Sequence, residues 1–184
     1  MVALEPDSCD AARMIRYTAV EMPWGELLVA ARDGRLVGAR LPGRWRYDAS
    51  TLATTRWPGA VRDDTILRDV QQALRAYAEG TCVQFDFPID LSDVPPFRRK
   101  VLEACRAVGY GERTTYAELA LRAGNPAAMR AAGGAMANNP IPLVIPCHRV
   151  LRSDGRMGGF SADGGLELKR RMLAWEDAHM EVGV

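Results

Sequence analysis

Three prolines fall within seven residues near the C-terminal end of the chain, Pro140, Pro142 and Pro146, and they enclose the apolar residues Ile141 and Leu143 to Ile145. Proline lacks the backbone donor that a helix interior or a central strand needs, so this stretch belongs at a sheet edge or at an element's end. Leu143, Val144 and Ile145 predict a brief buried strand, and Pro146 stiffens the approach to Cys147. Cys147, His148 and Arg149 follow at once. A thiol becomes a nucleophile when its neighbours favour the thiolate, and His148 is the adjacent group able to do that. A cysteine beside an apolar run is also an ordinary small buried hydrophobe, so on adjacency alone both readings stand.

The chain before this run changes character partway. Residues 1–14 read as a loose lead. Period-two patterning then predicts strands over Ile15 to Val20, Leu27 to Ala31 and Leu36 to Leu41, with Asp33-Gly34 as a tight hairpin signal. Residues 44–60, with Trp45, Tyr47 and Trp57, show no period and read as irregular. Ile66, Val70, Ala73, Leu74 and Tyr77 form a helical stripe within Thr65 to Ala78, ended by Gly80. Phe85, Phe87 and Ile89 alternate as one more strand. Nothing in this half offers a nucleophile, a phosphate loop or a metal set.

A seam at Asp90 to Pro96 opens the second half. A helix from Phe97 to about Ala107 buries Phe97, Val101, Leu102 and Cys105 on one face. Thr115-Tyr116-Ala117-Glu118 is a capping box, in which hydroxyl and carboxylate each satisfy a free backbone donor. That helix ends at Gly124, and Asn125-Pro126 starts another running to Asn138, with Asn as cap and Pro in the first turn. Two short helices joined by a glycine turn are the pattern of a helix-turn-helix. Gly133-Gly134 in the second helix costs about 2 kcal/mol relative to alanine. Close approach to another surface, a packed neighbour or a nucleic-acid backbone, would offset that. Beyond Cys147, Arg149 to Arg152 read as a short strand and Gly158 to Ser161 as a loop. A last helix then buries Leu166, Leu168, Met172, Leu173 and Trp175, with Glu176 near its end.

Composition narrows the classes. At 184 residues the chain suits one mid-sized domain or two small ones. No apolar run approaches a membrane span and no secretory pattern opens the chain, so a cytoplasmic, membrane-free protein is expected. Cys9, Cys82, Cys105 and Cys147 lack metal-ligand spacing, and His148 and His179 are the two histidines, so free thiols and no metal are expected. Eleven arginines against thirteen carboxylates give residues 1–92 a charge of −2; thirteen basic against ten acidic residues give residues 93–184 +3. That asymmetry permits a polyanionic partner without requiring one.

Ile145-Pro146-Cys147-His148-Arg149-Val150 resembles the active-site signature of methylated-DNA–protein-cysteine methyltransferases, the O6-alkylguanine-DNA alkyltransferases. Upstream, Gly111 to Tyr116 and Gly124 to Met136 resemble that family's helix-turn-helix, and Asn139-Pro140 its hinge. Downstream, Gly165 to Glu176 resembles its closing helix. The resemblance is strong over roughly residues 94–178 and looser before them. It implies an α+β fold: a ribonuclease-H-like α/β supporting unit with a small antiparallel sheet over residues 1–92, and a winged helix-turn-helix-like, mainly helical unit carrying the Cys loop over residues 93–184.

The implied activity is DNA repair by irreversible transfer of an alkyl group from O6-alkylguanine, with O4-alkylthymine a further candidate substrate, to Cys147, once per molecule and without a cofactor. The implied partner is double-stranded DNA, bound through its minor groove by a monomer. By the same resemblance His148, through a water, takes the thiol proton, Glu176 orients the imidazole, Asn139 holds the hinge and Tyr116 crowds the target phosphate and contacts the flipped base. Arg130 fills the gap in the stack. Ala127, Ala131, Gly134 and Ala135 present the DNA-facing surface, and Met136, Val150, Phe160 and Ser161 line the pocket. The chain departs from the family pattern at Leu102, at Val108-Gly109-Tyr110-Gly111, and in a loop after Ser161 about two residues longer.

Three other classes compete. An alkyltransferase-like lesion-binding module lacks the nucleophile that Cys147 supplies. A transcription regulator leaves the Cys box unexplained. A cysteine hydrolase brings its histidine from a distant segment rather than from the next residue.

Overall fold

Alternating apolar residues after Met14 build an antiparallel meander of β1 (Arg16–Met22), β2 (Gly25–Arg32) and β3 (Arg35–Arg40). The computed structural model describes residues 14–43, 48–65, 67–81 and 84–180; Cys9, Trp45, Tyr47, Ile66 and Cys82 lie outside the described residues. Asp33 and Gly34 sit at φ 51° and 70°, the mirror-image turn whose twist matches that of the flanking strands. β4 (Val61–Arg62) adds to β1 in parallel, so the sheet has the order β3-β2-β1-β4 and is mixed rather than wholly antiparallel. The middle strand β2 is buried on both faces. Leu27 and Val29 enter the main core, while Leu28 and Ala30 pack with Tyr17, Ala53 and Trp57 on the other side.

That outer layer corrects the expectation of irregular chain over residues 44–60. Ala49–Arg56 is a helix, α1, capped by Asp48, whose carboxylate accepts from the Thr51 amide at 2.8 Å. Only Ala53 of this helix is fully buried, so no apolar stripe marks it. Trp57 then lies on β3 at Gly38, where a Cβ would fall 2.5 Å from the indole.

The next helix, α2 (Arg68–Ala78), starts later than its stripe suggests because Leu67 takes φ 51°. The strand expected over Phe85 to Ile89 is also absent. Ile89 makes a single bridge to Leu36. Pro88 has no donor for a ladder, and the Arg106 guanidinium takes the carbonyls of Phe85 and Phe87 at 3.2 and 2.6 Å.

In the second half α3 (Pro96–Arg106) buries Val101, Leu102 and Cys105. Both halves of the capping box form at the start of α4 (Tyr116–Arg122). α5 (Met129–Ala137) is preceded by a 3₁₀ turn, Pro126–Ala128. Asn125 does not cap through its side chain, contrary to expectation; its carbonyl instead accepts from the Ala128 amide at 3.0 Å and closes that turn. β5 (Thr114–Thr115) pairs in parallel with β6 (Val150–Leu151), tying the helix-turn-helix to the chain beyond Cys147. Leu143 to Ile145 are buried as expected but are not a strand. With prolines denying ladder donors, the chain folds back: Leu143 sits at φ 76° and the Ile145 amide donates to the Ile141 carbonyl at 2.9 Å.

α6 (Gly165–His179) buries Leu168, Lys169, Met172 and Glu176, whereas Leu166, expected inside, is 43% exposed. One apolar core runs from the inner face of the sheet through α2 and α3 to α5 and α6. Among the described residues no helix is long and apolar enough to cross a membrane.

Candidate active site

The folded-back turn exists to be clamped. Asn139 donates from Nδ2 to the Ile145 carbonyl at 2.8 Å, and its Oδ1 accepts from the Ile141 amide at 3.1 Å. One side chain thereby closes the loop that delivers Cys147 to the start of a single 3₁₀ turn, Cys147–Arg149. Cys147 is 6% exposed. Burial pushes its thiol up from the ordinary range, opposed by the Asn139 amide, the Lys169 charge and the amides of Cys147 and His148, all of which favour the thiolate. Lys169 is itself buried, donates to the Val150 carbonyl at 2.6 Å, and lies over the Phe160 ring at 5.8 Å. Burial lowers its pKa, which the two thiols partly restore.

Behind the sulfur lies a buried ionic cluster centred on Glu176. His148 Nε2 meets Glu176 Oε1 at 2.7 Å, with both side chains fully buried. Arg149 donates from Nε to both carboxylate oxygens at 3.1 Å and from Nη2 to Oε1 at 2.9 Å, while its Nη1 reaches the Val108 carbonyl at 2.7 Å. Arg113 approaches Oε2 at 3.5 Å, and the Tyr77 hydroxyl donates to Oε1 at 3.0 Å. Burial alone would raise Glu176, but the hydrogen bonds and charges of His148 and Arg149 outweigh it and hold the carboxyl at about 2. His148 moves down, chiefly because burial disfavours the imidazolium. The pair at neutral pH is therefore a carboxylate and a neutral imidazole. Nε2–H points to Glu176, and Nδ1 is buried without a partner among the described residues, available as a base.

In front of the sulfur the surroundings change. A cavity of about 640 Å³ reaches Cys147 between Tyr116, Arg130, Gly133, Met136, Phe160 and Ser161. A smaller one of about 270 Å³ reaches it from the seam with β3, past Arg40, Asn139 and Pro140. Gly158 backs Tyr116 so closely that a Cβ there would lie 2.5 Å from the phenol oxygen. Ser161 Oγ donates to the Ala137 carbonyl at 2.7 Å, joining the pocket loop to α5.

The fold thus gathers Cys147, His148, Glu176, Asn139, Tyr116, Arg130, Met136, Phe160 and Ser161 around one sulfur. Ala127 and Ala131 are exposed and Gly134 is half-buried with open space beside it, so these three form a surface. Ala135 does not: although it lies one turn on from Ala131, it is fully buried in the core, and it is removed from the expected DNA-facing set. Val150 is corrected likewise. Its side chain is fully buried and lines neither cavity, its carbonyl is taken by Lys169, and its amide donates to the Cys147 carbonyl. Arg149, Lys169 and Tyr77 were not singled out from the sequence as site residues. The helical spacing of Lys169, Met172 and Glu176 marks Lys169 as inward-facing, whereas no local signal marks the other two.

The comparisons point the same way. Residues 96–178 match the family model described as 6-O-methylguanine DNA methyltransferase, DNA binding domain, and residues 15–91 match its ribonuclease-like domain. A methylated-DNA–protein-cysteine methyltransferase of Mycolicibacterium paratuberculosis is 37% identical over 90% of this chain and 94% of its own. The protein of that name from Rattus norvegicus is 52% identical over 88% of this chain and 82% of its own. The crystal structure of Mycobacterium tuberculosis O6-methylguanine methyltransferase superposes with a TM-score of 0.75 at 32% identity, covering 90% of this chain and 94% of that one. A Mycobacterium tuberculosis OGT in complex with DNA gives 0.75 at 30% identity, with 89% and 94% covered. The chain belongs to the methylated-DNA–protein-cysteine methyltransferase family.

Proposed function

We propose that the protein repairs DNA by taking the alkyl group of O6-alkylguanine onto Cys147, with O4-alkylthymine a further candidate substrate. The observation that carries the reading is a thiol lining the cavity, followed directly in the chain by a neutral imidazole that a fully buried carboxylate backs. The thiol proton passes through a bridging water to His148 Nδ1, and Glu176 steadies the imidazolium that results. The sulfur then attacks the alkyl carbon from the side opposite O6. A carbon–sulfur bond forms as the carbon–oxygen bond breaks, the bonding pair leaves with the base, and the base takes up a proton to become guanine. A thioether is a poor leaving group, so each molecule acts once.

Reaching a sulfur at a cavity floor requires the base to leave the duplex, at a cost of a few kcal/mol that alkylation reduces. Tyr116 hydrogen-bonds the extruded base and crowds its phosphate, Arg130 fills the vacated stack, and Phe160, Ser161 and Met136 enclose the base. Ala127, Ala131 and Gly134 lie against the minor groove. A Cβ at Gly134 would meet nothing within 4 Å, so no packing among the described residues offsets the helix cost of that glycine, which supports a surface kept for an outside partner. Few base contacts and little sequence preference follow. The protein acts as a monomer in the cytoplasm, with residues 1–92 as the supporting unit and residues 93–184 as the acceptor unit.

Incubation with duplex DNA carrying O6-methylguanine, followed by peptide mass spectrometry, tests the reading. One methyl group per molecule on the peptide holding Cys147 is expected. An unmodified protein with unchanged DNA, or methyl groups on other residues, would overturn it.

A further inference from the structure

We infer that Tyr77, from the N-terminal half, is a positioning residue for the transfer: its hydroxyl fixes Glu176 and limits how strongly that carboxylate draws a proton onto His148. The inference rests on the proposed roles of His148 and Glu176. Tyr77 is fully buried on α2, and its hydroxyl donates at 3.0 Å to Glu176 Oε1, the same oxygen that faces His148 Nε2 at 2.7 Å. Its main-chain carbonyl accepts from the Trp175 indole N–H at 3.1 Å. The residue before Glu176 and the side chain of Glu176 are therefore both docked on one tyrosine across the seam between the halves. The ring is held edge-on by Trp24 and Tyr110, with centroids at 6.0 and 5.7 Å, and tilted against Phe85 at 5.7 Å. Phenylalanine would make the same ring contacts. What the hydroxyl adds is the bond to Oε1.

That bond has an electrostatic consequence. Every donor on Oε1 draws charge from it and weakens its pull on the others, so a donor besides His148 lowers the stability of the imidazolium. The other groups facing the carboxylate are Arg149, from the Cys147 turn, and Arg113, from the chain before β5; Arg113 also pairs with Asp177 on the solvent side of α6. Burial and the Glu176 charge push the phenol's ionisation far above its usual range, so Tyr77 remains a donor at every working pH. The effect is to keep His148 neutral, and so able to accept the thiol proton, at lower pH than the carboxylate alone would allow.

The test is the pH dependence of single-turnover methyl transfer from O6-methylguanine DNA. Tyr77→Phe should move the acid limb up by about half a pH unit. 3-Fluorotyrosine at position 77, a stronger donor of nearly the same shape, should move it down. In a Glu176→Gln background both changes should vanish. Binding of the same DNA should be unaffected throughout. A limb that stays in place in both variants, moves the same way in both, or moves equally in the Glu176→Gln background would overturn the inference, including the case in which Tyr77→Phe loses only thermal stability. Failure of the unsubstituted protein to transfer methyl would instead count against the proposed function, so the two failures are distinguishable.

Discussion

Behind Cys147 two guanidiniums, an imidazole and a phenol meet around the fully buried carboxylate of Glu176; in front of it Gly133, Met136 and Phe160 border an open cavity of about 640 Å³. The back wall is assembled from α2, the chain before β5, the Cys147 turn and α6, whose side chains hold one another through hydrogen bonds and ion pairs. The front wall consists of small or pliable side chains and a glycine-rich loop, which leaves room for a base and its alkyl group. The difference teaches a division of labour. Proton handling needs groups whose positions and ionisation are set in advance, because a buried charge cluster is stable only when fully paired. Recognition of an extruded base needs volume and tolerance, which charged packing would forbid.

Removing a partner from the back wall should be the most damaging change. Arg149→Leu strips Glu176 of its bidentate cation and should cost about 3–5 kcal/mol in urea-denaturation stability. A loss below about 1 kcal/mol would mean that the cluster is not the rigid element described. The front-wall counterpart, Arg130→Ala, should leave stability within about 0.5 kcal/mol of the parent, because Arg130 is exposed.

Next in size is Glu176→Gln. Loss of the charge behind His148 should slow transfer about a hundredfold or more, while affinity for lesion DNA, measured by fluorescence anisotropy, stays within about twofold. Equal losses in both would show that the two walls are not functionally separate. Gly158→Ala acts on the front wall alone. Its Cβ would displace the Tyr116 phenol, and transfer should fall about tenfold with little change in melting temperature. An unchanged rate would remove Tyr116 from the base-positioning role.

The smallest effect is pH-dependent stability. His148 binds a proton less readily folded than unfolded, so below its ordinary 6.5 the unfolded chain takes up more protons and stability falls as pH falls. Glu176, held at about 2 against an ordinary 4.5, adds a second loss between those values. Melting temperatures should therefore decline in two steps on acidification, and the lower step, to which Asp63 and Asp90 at about 2 also contribute, should be smaller in Glu176→Gln. A lower step of equal size in both proteins would contradict the assignment.

Much of this was legible in the sequence where local chemistry was decisive. The Asp33-Gly34 hairpin, the capping box at Thr115–Glu118 and the Cys147-His148-Arg149 run each carry their geometry within a few residues. Helix α1 was not legible because it has no apolar stripe; Asp48 as its cap was the one local clue. The run before Cys147 has the composition of a buried strand, and the backbone reversal at Leu143 leaves no compositional mark. Ala131 and Ala135 are chemically identical on a helix of alanine and glycine, so nothing distinguished the exposed one from the buried one. Tyr77 and Glu176 lie 99 residues apart, and only the packing of α2 against α6 brings them together.

The central claim is that a single sulfur, served by the imidazole beside it, accepts the alkyl carbon. Cys147→Ser keeps the shape of both walls and removes the nucleophile. Assayed on duplex DNA carrying O6-methylguanine, it should transfer no methyl while binding that DNA as tightly as the parent. Restoration of unmodified guanine by the serine protein would contradict the account.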